Sequence, residues 1–249
     1  MSRAARTFRL TKKFIKILFL ILIFGITAFS IWRAFFSTSE PDSMEALSPN
    51  EALASAYAEY GEELYVFEQE QRTITSTDKN YGYFSIIRAT FIPSANQVQI
   101  VLRYNNSTLR RTQEDFSLDE VPSREGEAYD VSLYVVTDNT PENKDDNLET
   151  TPEAVSTLRI HPSYIESDQT NLYNYRLLVF DFGETDLAAL VESDALISVF
   201  TDIYYVGDVD YEKDAYGTLC LYDYITEKRD AKLSPEDIEA IEAYIAEKK

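Results

Sequence analysis

Hydrophobic and polar positions change their pattern twice along this chain. From Phe14 to Phe36 it reads FIKILFLILIFGITAFSIWRAFF, apolar on every side with no period. As a helix these 23 residues rise roughly 34 Å, enough for a hydrocarbon core of about 30 Å. The uncharged stretch is Ile17 to Trp32, with Lys16 and Arg33 placed to snorkel to the two interfaces. A transmembrane helix is predicted over residues 14–36. Residues 37–47 (STSEPDSMEAL) are polar and aperiodic and read as a linker. Ser48-Pro49-Asn50-Glu51 then supplies a cap, a first-turn Pro and a Glu for a helix over 49–60, with Leu53, Tyr57 and Tyr60 on one stripe and Gly61 ending it.

After Gly61 the period falls to two. Segments near 64–75, 83–92, 97–104, 129–137, 156–161, 172–182, 196–206 and 216–225 are rich in Ile, Val, Tyr, Phe and Thr and predict strands. In Gln97–Tyr104, Val98, Ile100, Leu102 and Tyr104 share one face and Gln97, Gln99 and Arg103 the other, the alternation of a half-buried strand. Pro93-Ser94-Ala95-Asn96 predicts a hairpin, and Gly207–Ala215 a link between two antiparallel strands. A helical turn fits Asp186–Glu192. Ser234-Pro235-Glu236-Asp237 caps a last helix with Ile238, Ile241 and Ile245 on its apolar stripe. No long amphipathic helices alternate with the strands, so the reading is mainly β: an antiparallel β-sandwich-like domain over 48–249, flanked by a short N-terminal and a C-terminal helix and preceded by a single transmembrane helix. It departs from immunoglobulin domains in lacking their Cys-Trp-Cys core, for the one Trp, Trp32, lies in the apolar segment.

Charge sets the direction of insertion. Arg3, Arg6, Arg9, Lys12, Lys13, Lys16 and Arg33 precede Glu40, whereas all 43 acidic residues lie from Glu40 onward. The 16 basic residues that remain leave 37–249 at a net −27. This bias places a basic tail, 1–13, in the cytoplasm and the domain outside, a single-pass protein of the plasma membrane whose first partner is the lipid bilayer around residues 14–36. The alternative is a secretory leader cleaved near Ala28 and Ser30. Ile31-Trp32-Arg33-Ala34-Phe35-Phe36 resembles an interfacial aromatic belt and favours retention. So acidic a domain disfavours nucleic acid, whose affinity is built from clustered Lys and Arg.

Composition removes most familiar chemistries. The seven glycines stand at least ten residues apart, which excludes phosphate-binding Gly loops and the G-x-S-x-G elbow. One His and one Cys exclude HExxH, paired-Cys zinc and internal disulfides. Four carboxylates alternate in Asp208, Asp210, Glu212 and Asp214, as at the start of a calcium loop, making them the candidate metal ligands and calcium the one candidate cofactor. Lys213 stands where such a loop needs Gly, and Leu219 where it needs Glu. A solvated hairpin loop is the plainer reading. The same holds for the acidic stretch Asp138–Glu153. Lone His161 reads as structural or as a surface residue, Cys220 as a buried small apolar residue, and Asn105-Asn106-Ser107-Thr108 as a turn that also carries two glycosylation sequons. Tyr204, Tyr205 and Tyr211 are the candidate binding surface, among 18 tyrosines. The sequence thus points to a non-enzymatic binding or envelope-assembly module with an envelope protein or glycan as partner. An exported carboxylate-dependent hydrolase or a divalent-cation-dependent surface domain are the alternatives.

Overall fold

The structure, a computed structural model, describes residues 16–30, 41–69, 84–124, 127–138, 155–170, 172–192, 196–223 and 228–248. The chain divides into two units, Met1–Ser39 and Glu40–Lys249. In the first, residues 16–30 form helix α1. Its large apolar side chains, from Ile17 to Phe29, are 52–73% exposed. No helix among the described residues is long and apolar enough to cross a membrane. The basic tail and the remainder of the expected span lie outside the described residues.

The second unit is mainly β, with two antiparallel sheets. One has six strands in the order β10-β1-β2-β3-β7-β6: Lys228–Ala231, Val66–Gln69, Phe84–Ile92, Gln97–Asn105, Tyr173–Asp181 and Tyr164–Gln169. The other has four, β5-β4-β8-β9: Val155–Ile160, Tyr129–Asp138, Leu196–Tyr205 and Gly217–Asp223. Their facing sides share one apolar core. Phe84, Ile86, Ile100, Leu102, Leu178 and Phe180 of the six-stranded sheet meet Val131, Leu133, Val199, Ile203, Leu219 and Leu221 of the other. Full burial of such a side chain stabilises the fold by about 1.5–3 kcal/mol. This arrangement is consistent with the sandwich-like architecture that the period-two segments imply. The hairpin at Pro93–Ala95 also forms, closed by Asn96 in the left-handed region at φ 55°.

The other face of the six-stranded sheet is covered too. Helices α2 (Glu51–Tyr60) and α5 (Pro235–Glu247) place Leu53, Ala56 and Ile241 over Val66 and Ile92. The α5 cap is the one the sequence offers, Ser234 accepting from the Asp237 N–H, whereas α2 starts two residues later than expected, capped not by Ser48 but by Asn50, which accepts from the Leu53 N–H. Three further sequence expectations change here. Strand β3 is buried on both faces, since Gln97 and Gln99 are 0% and 2% exposed. Their amides are spent on Asn50 and Ser48, polar pairing that hydropathy does not display. Second, part of the expected linker belongs to the domain: Asp42–Met44 is a 3₁₀ turn, and Met44 and Leu47 are buried. Third, Asn105–Thr108 opens a helix, α3 (Asn106–Asp115), rather than a turn. The Asn105 side chain accepts the Thr108 N–H at 3.0 Å while Thr108 Oγ1 accepts the Asn105 N–H, a capping box that overrides an almost wholly polar sequence.

Strands β6 and β10 were also not expected. Both are polar edge strands, and an edge needs no apolar alternation to pair on its one inner side. The helical turn near Asp186 forms as α4, Leu187–Glu192.

Candidate functional site

Strict alternation in the four-stranded sheet sends Val131, Leu133 and Val135 into the core and Asp130, Ser132 and Tyr134 outward. Register then assembles a polar outer face. Asp130 stands opposite Tyr204, Ser132 opposite Asp202, Tyr134 opposite Arg159, and Asp202 opposite Thr218.

Arg159 is the hub of that face. Its guanidinium donates to Ser132 Oγ at 2.6 Å and to Asp202 Oδ2 at 3.1 Å, with side chains only 19% and 11% exposed for Arg159 and Asp202. Asp202 also accepts the Thr218 hydroxyl at 3.0 Å. Three rings surround the guanidinium: Tyr134 at 5.1 Å, Tyr204 at 5.5 Å and Tyr211 at 5.0 Å from the ring centroids. A half-desolvated cation against aromatic faces gains about 0.5–2 kcal/mol per contact.

Tyr211 reaches this hub from the β8–β9 connection. Its hydroxyl donates to Asp130 Oδ2 at 2.8 Å, and its ring meets Tyr204 and His161 edge to face. Burial against the sheet, followed by the hydrogen bond and charge of Asp130, pushes the Tyr211 phenol up to about 12. The residue as a whole remains 41% exposed. Burial likewise raises Tyr204 above the ordinary tyrosine range. Beside the connection lies a cleft of about 220 Å³, lined by Asp130, Ile165, Arg176, Val206, Val209 and Tyr211.

Of the three expected surface tyrosines, Tyr204 and Tyr211 come together and Tyr205 does not. Adjacent strand residues point to opposite faces, and the Tyr205 ring packs on Phe116 at 4.8 Å. Tyr204, at 4% exposed, is a wall of the hub rather than open surface.

The four alternating carboxylates are not gathered on one point. Asp210 turns back on its own loop, accepting the Glu212 N–H at 3.1 Å and pairing with Lys213 at 3.0 Å. Those bonds, Lys213 first, hold the Asp210 carboxyl below the usual carboxylate range. Among the described residues no three His, Cys, Asp or Glu side chains lie together as metal ligands would. Lys213, which departs from the calcium-loop pattern in sequence, takes the carboxylate that a cation would need.

His161 is exposed at the rim, and Cys220 is buried. Residues 139–154 of the second acidic stretch lie outside the described residues. The sequence reading missed Arg159 and Asp202. Their signal was a lone charge inside each apolar strand, Thr157-Leu158-Arg159-Ile160 and Val199-Phe200-Thr201-Asp202-Ile203.

No protein-family model matches the chain, and neither do curated proteins or solved structures.

Proposed function

We propose that this chain is a single-pass membrane protein that displays an acidic β-sandwich outside the plasma membrane as a binding or envelope-assembly module, with the Arg159–Tyr211 face as its docking surface. The observation that carries the reading is the hub itself. Aromatic rings and a clamped guanidinium are the residue types in which interface energy concentrates. They form a pre-ordered surface, so a partner meets little ordering cost. Asp130 and Asp202 of this face are committed to Tyr211, Arg159 and Thr218, which favours docking over acid–base catalysis. Retention in lipid is supported by the apolar side chains exposed on all sides of α1 and by the cation bias before Glu40.

Two experiments test the two halves. Carbonate washing should leave the chain in the membrane fraction, and protease added to intact cells should digest the domain; a soluble product beginning near Ile31 overturns the anchor. Cross-linking of the full chain in intact cells should give a specific adduct that Tyr211→Ala removes while far-UV circular dichroism is unchanged. An adduct insensitive to Tyr211→Ala moves the docking surface elsewhere.

A further inference from the structure

We infer that the cleft beside Tyr211 receives a lysine- or arginine-bearing segment of a partner protein, its aliphatic stems inside the cleft and its cationic heads on a carboxylate rim. The inference names the chemistry of the partner and rests on the reading of the Arg159–Tyr211 face as a docking surface.

Exposed apolar surface converges on this cleft. Among the described residues of the second unit ten large apolar residues are exposed, and four of them, Ile165, Val206, Val209 and Tyr211, line the one cleft of about 220 Å³ at 38–50% exposure. They come from two sides, Ile165 from the edge strand β6 and the others from the connection between β8 and β9. Single apolar residues are ordinary on a surface, whereas a gathered patch marks a contact site. The volume falls below the roughly 300–1,000 Å³ of small-molecule pockets and suits a few side chains of a larger partner. Its walls are tied down. The Val206 N–H donates to the Ala128 carbonyl at 3.1 Å and the Tyr211 hydroxyl to Asp130, so a partner meets a surface already shaped.

Charge selects the occupant. Glu127 and Asp130 line the cleft, and Asp208, Glu212 and Asp214 are exposed on the connection that walls it. That connection, residues 206–216, has one cation, Lys213, which is paired with Asp210. Arg176 also lines the cleft, but it is 2% exposed with Nη1 on the Tyr129 carbonyl, so it forms the floor and keeps an incoming cation at the rim. Lysine and arginine fit both features, because their long stems bury against apolar surface while their heads stay in water beside carboxylates. A second copy of this domain does not fit, since residues 37–249 carry a net −27 and like charges set against each other cost affinity. The chain's own cationic run, Arg3 to Lys16, lies across the bilayer in the proposed topology, which leaves a different protein as the source.

The test is titration of the detergent-extracted full chain with three labelled peptides that alternate Val with Lys, with Glu or with Ser. The Lys-Val peptide should bind, and more weakly as salt rises from about 0.1 M to about 1 M and the Debye length falls from about 10 Å to about 3 Å. The other two should bind about tenfold more weakly or worse. Glu127→Gln with Asp130→Asn keeps shape and removes the rim charge, and should weaken the Lys-Val peptide about fivefold. Val206→Ser with Val209→Ser should weaken it about tenfold. Glu239→Gln with Glu247→Gln removes the same charge from α5, on the helices that cover the other face of the six-stranded sheet, and should change binding by less than about twofold. Circular dichroism confirms that each variant is folded. Absence of binding, Ser-Val binding equal to Lys-Val, or equal losses in the rim and α5 variants overturns the inference, the last by making the attraction a property of net charge. The cross-link in intact cells separates this from the docking surface itself. An adduct lost in Tyr211→Ala but kept in both cleft variants retains the surface and refutes a cationic occupant; an adduct insensitive to all three removes the surface and the inference with it.

Discussion

Replacing Asp202 by Ala isolates the electrostatic centre of the outer face. The change removes the 3.1 Å bridge to Arg159 and the 3.0 Å bond from Thr218, and leaves a guanidinium that is 19% exposed. A hydrogen bond to a charged group stabilises by about 1.5–3 kcal/mol, and breaking a fully buried pair from one side costs about 3–5 kcal/mol. Arg159 keeps Ser132, three tyrosine rings and some access to water. The cost should therefore be about 2–3 kcal/mol, below the fully buried case. For a domain of this size that lowers Tm by roughly 4–12 °C. Urea unfolding in detergent, followed by tyrosine fluorescence, should show a lower midpoint with an unchanged slope. In a double-mutant cycle with Arg159→Met the coupling should be about 1–2 kcal/mol. A loss within about 0.5 kcal/mol, the range of ordinary surface substitutions, would show that Arg159 is held by its rings and not by Asp202.

Further expectations concern the loop, one helix start and one close approach. Burial and Asp130 push the Tyr211 phenol up to about 12 from the ordinary 10.0. The folded protein therefore holds a proton that the unfolded chain releases between those values; this group's contribution is intact below pH 10 and is lost as pH rises through 12. Phenolate absorbance of the protein and of Tyr211→Phe, subtracted, should show the loss of one phenol that titrates above pH 10, and a difference that titrates at or below pH 10 would refute the assignment. Asn105→Ala removes the α3 cap and should cost about 1 kcal/mol, checked by urea unfolding, whereas Asn105→Gly should cost only a few tenths. A Cβ at Gly217 would lie 2.9 Å from the Phe84 ring, so Gly217→Ala should destabilise by about 1–3 kcal/mol. Millimolar calcium should leave the Tm of the full chain unmoved; a rise of several degrees would mean that the Asp208–Asp214 loop rearranges around the ion.

Period-two hydropathy carried most of the sheet framework, because a strand with one face in a shared core must alternate. It failed where pairing is polar. YIESDQ of β6 and KRDA of β10 have almost no apolar residues, and they form because β7 and β1 offer open edges. Helix α3 has one large apolar residue, Leu109, and owes its start to the Asn105–Thr108 exchange of hydrogen bonds. Of the outer face, tyrosine abundance disclosed Tyr204 and Tyr211. Arg159 and Asp202 meet only through the registers of β5 on β4 and of β4 on β8, and a linear pattern of charges does not encode register. In the acidic repeat Asp208, Asp210, Glu212 and Asp214, the Lys213 that breaks the calcium-loop pattern in sequence pairs with Asp210, a contact that alternation alone does not disclose.

The bond from Leu47 to Asp237, with the pairing of β1 to β10, ties opposite ends of the domain together. Synthesis delivers residues 41–69 long before 228–247, so one flank of the six-stranded sheet stays unsealed on the ribosome until the later segment emerges. During that interval Leu47 lacks the part of its cover that Leu233 and Ile241 supply. Chaperones that recognise exposed aliphatic side chains would have their longest opportunity at this stage, and slowing translation over residues 228–247 should lengthen it.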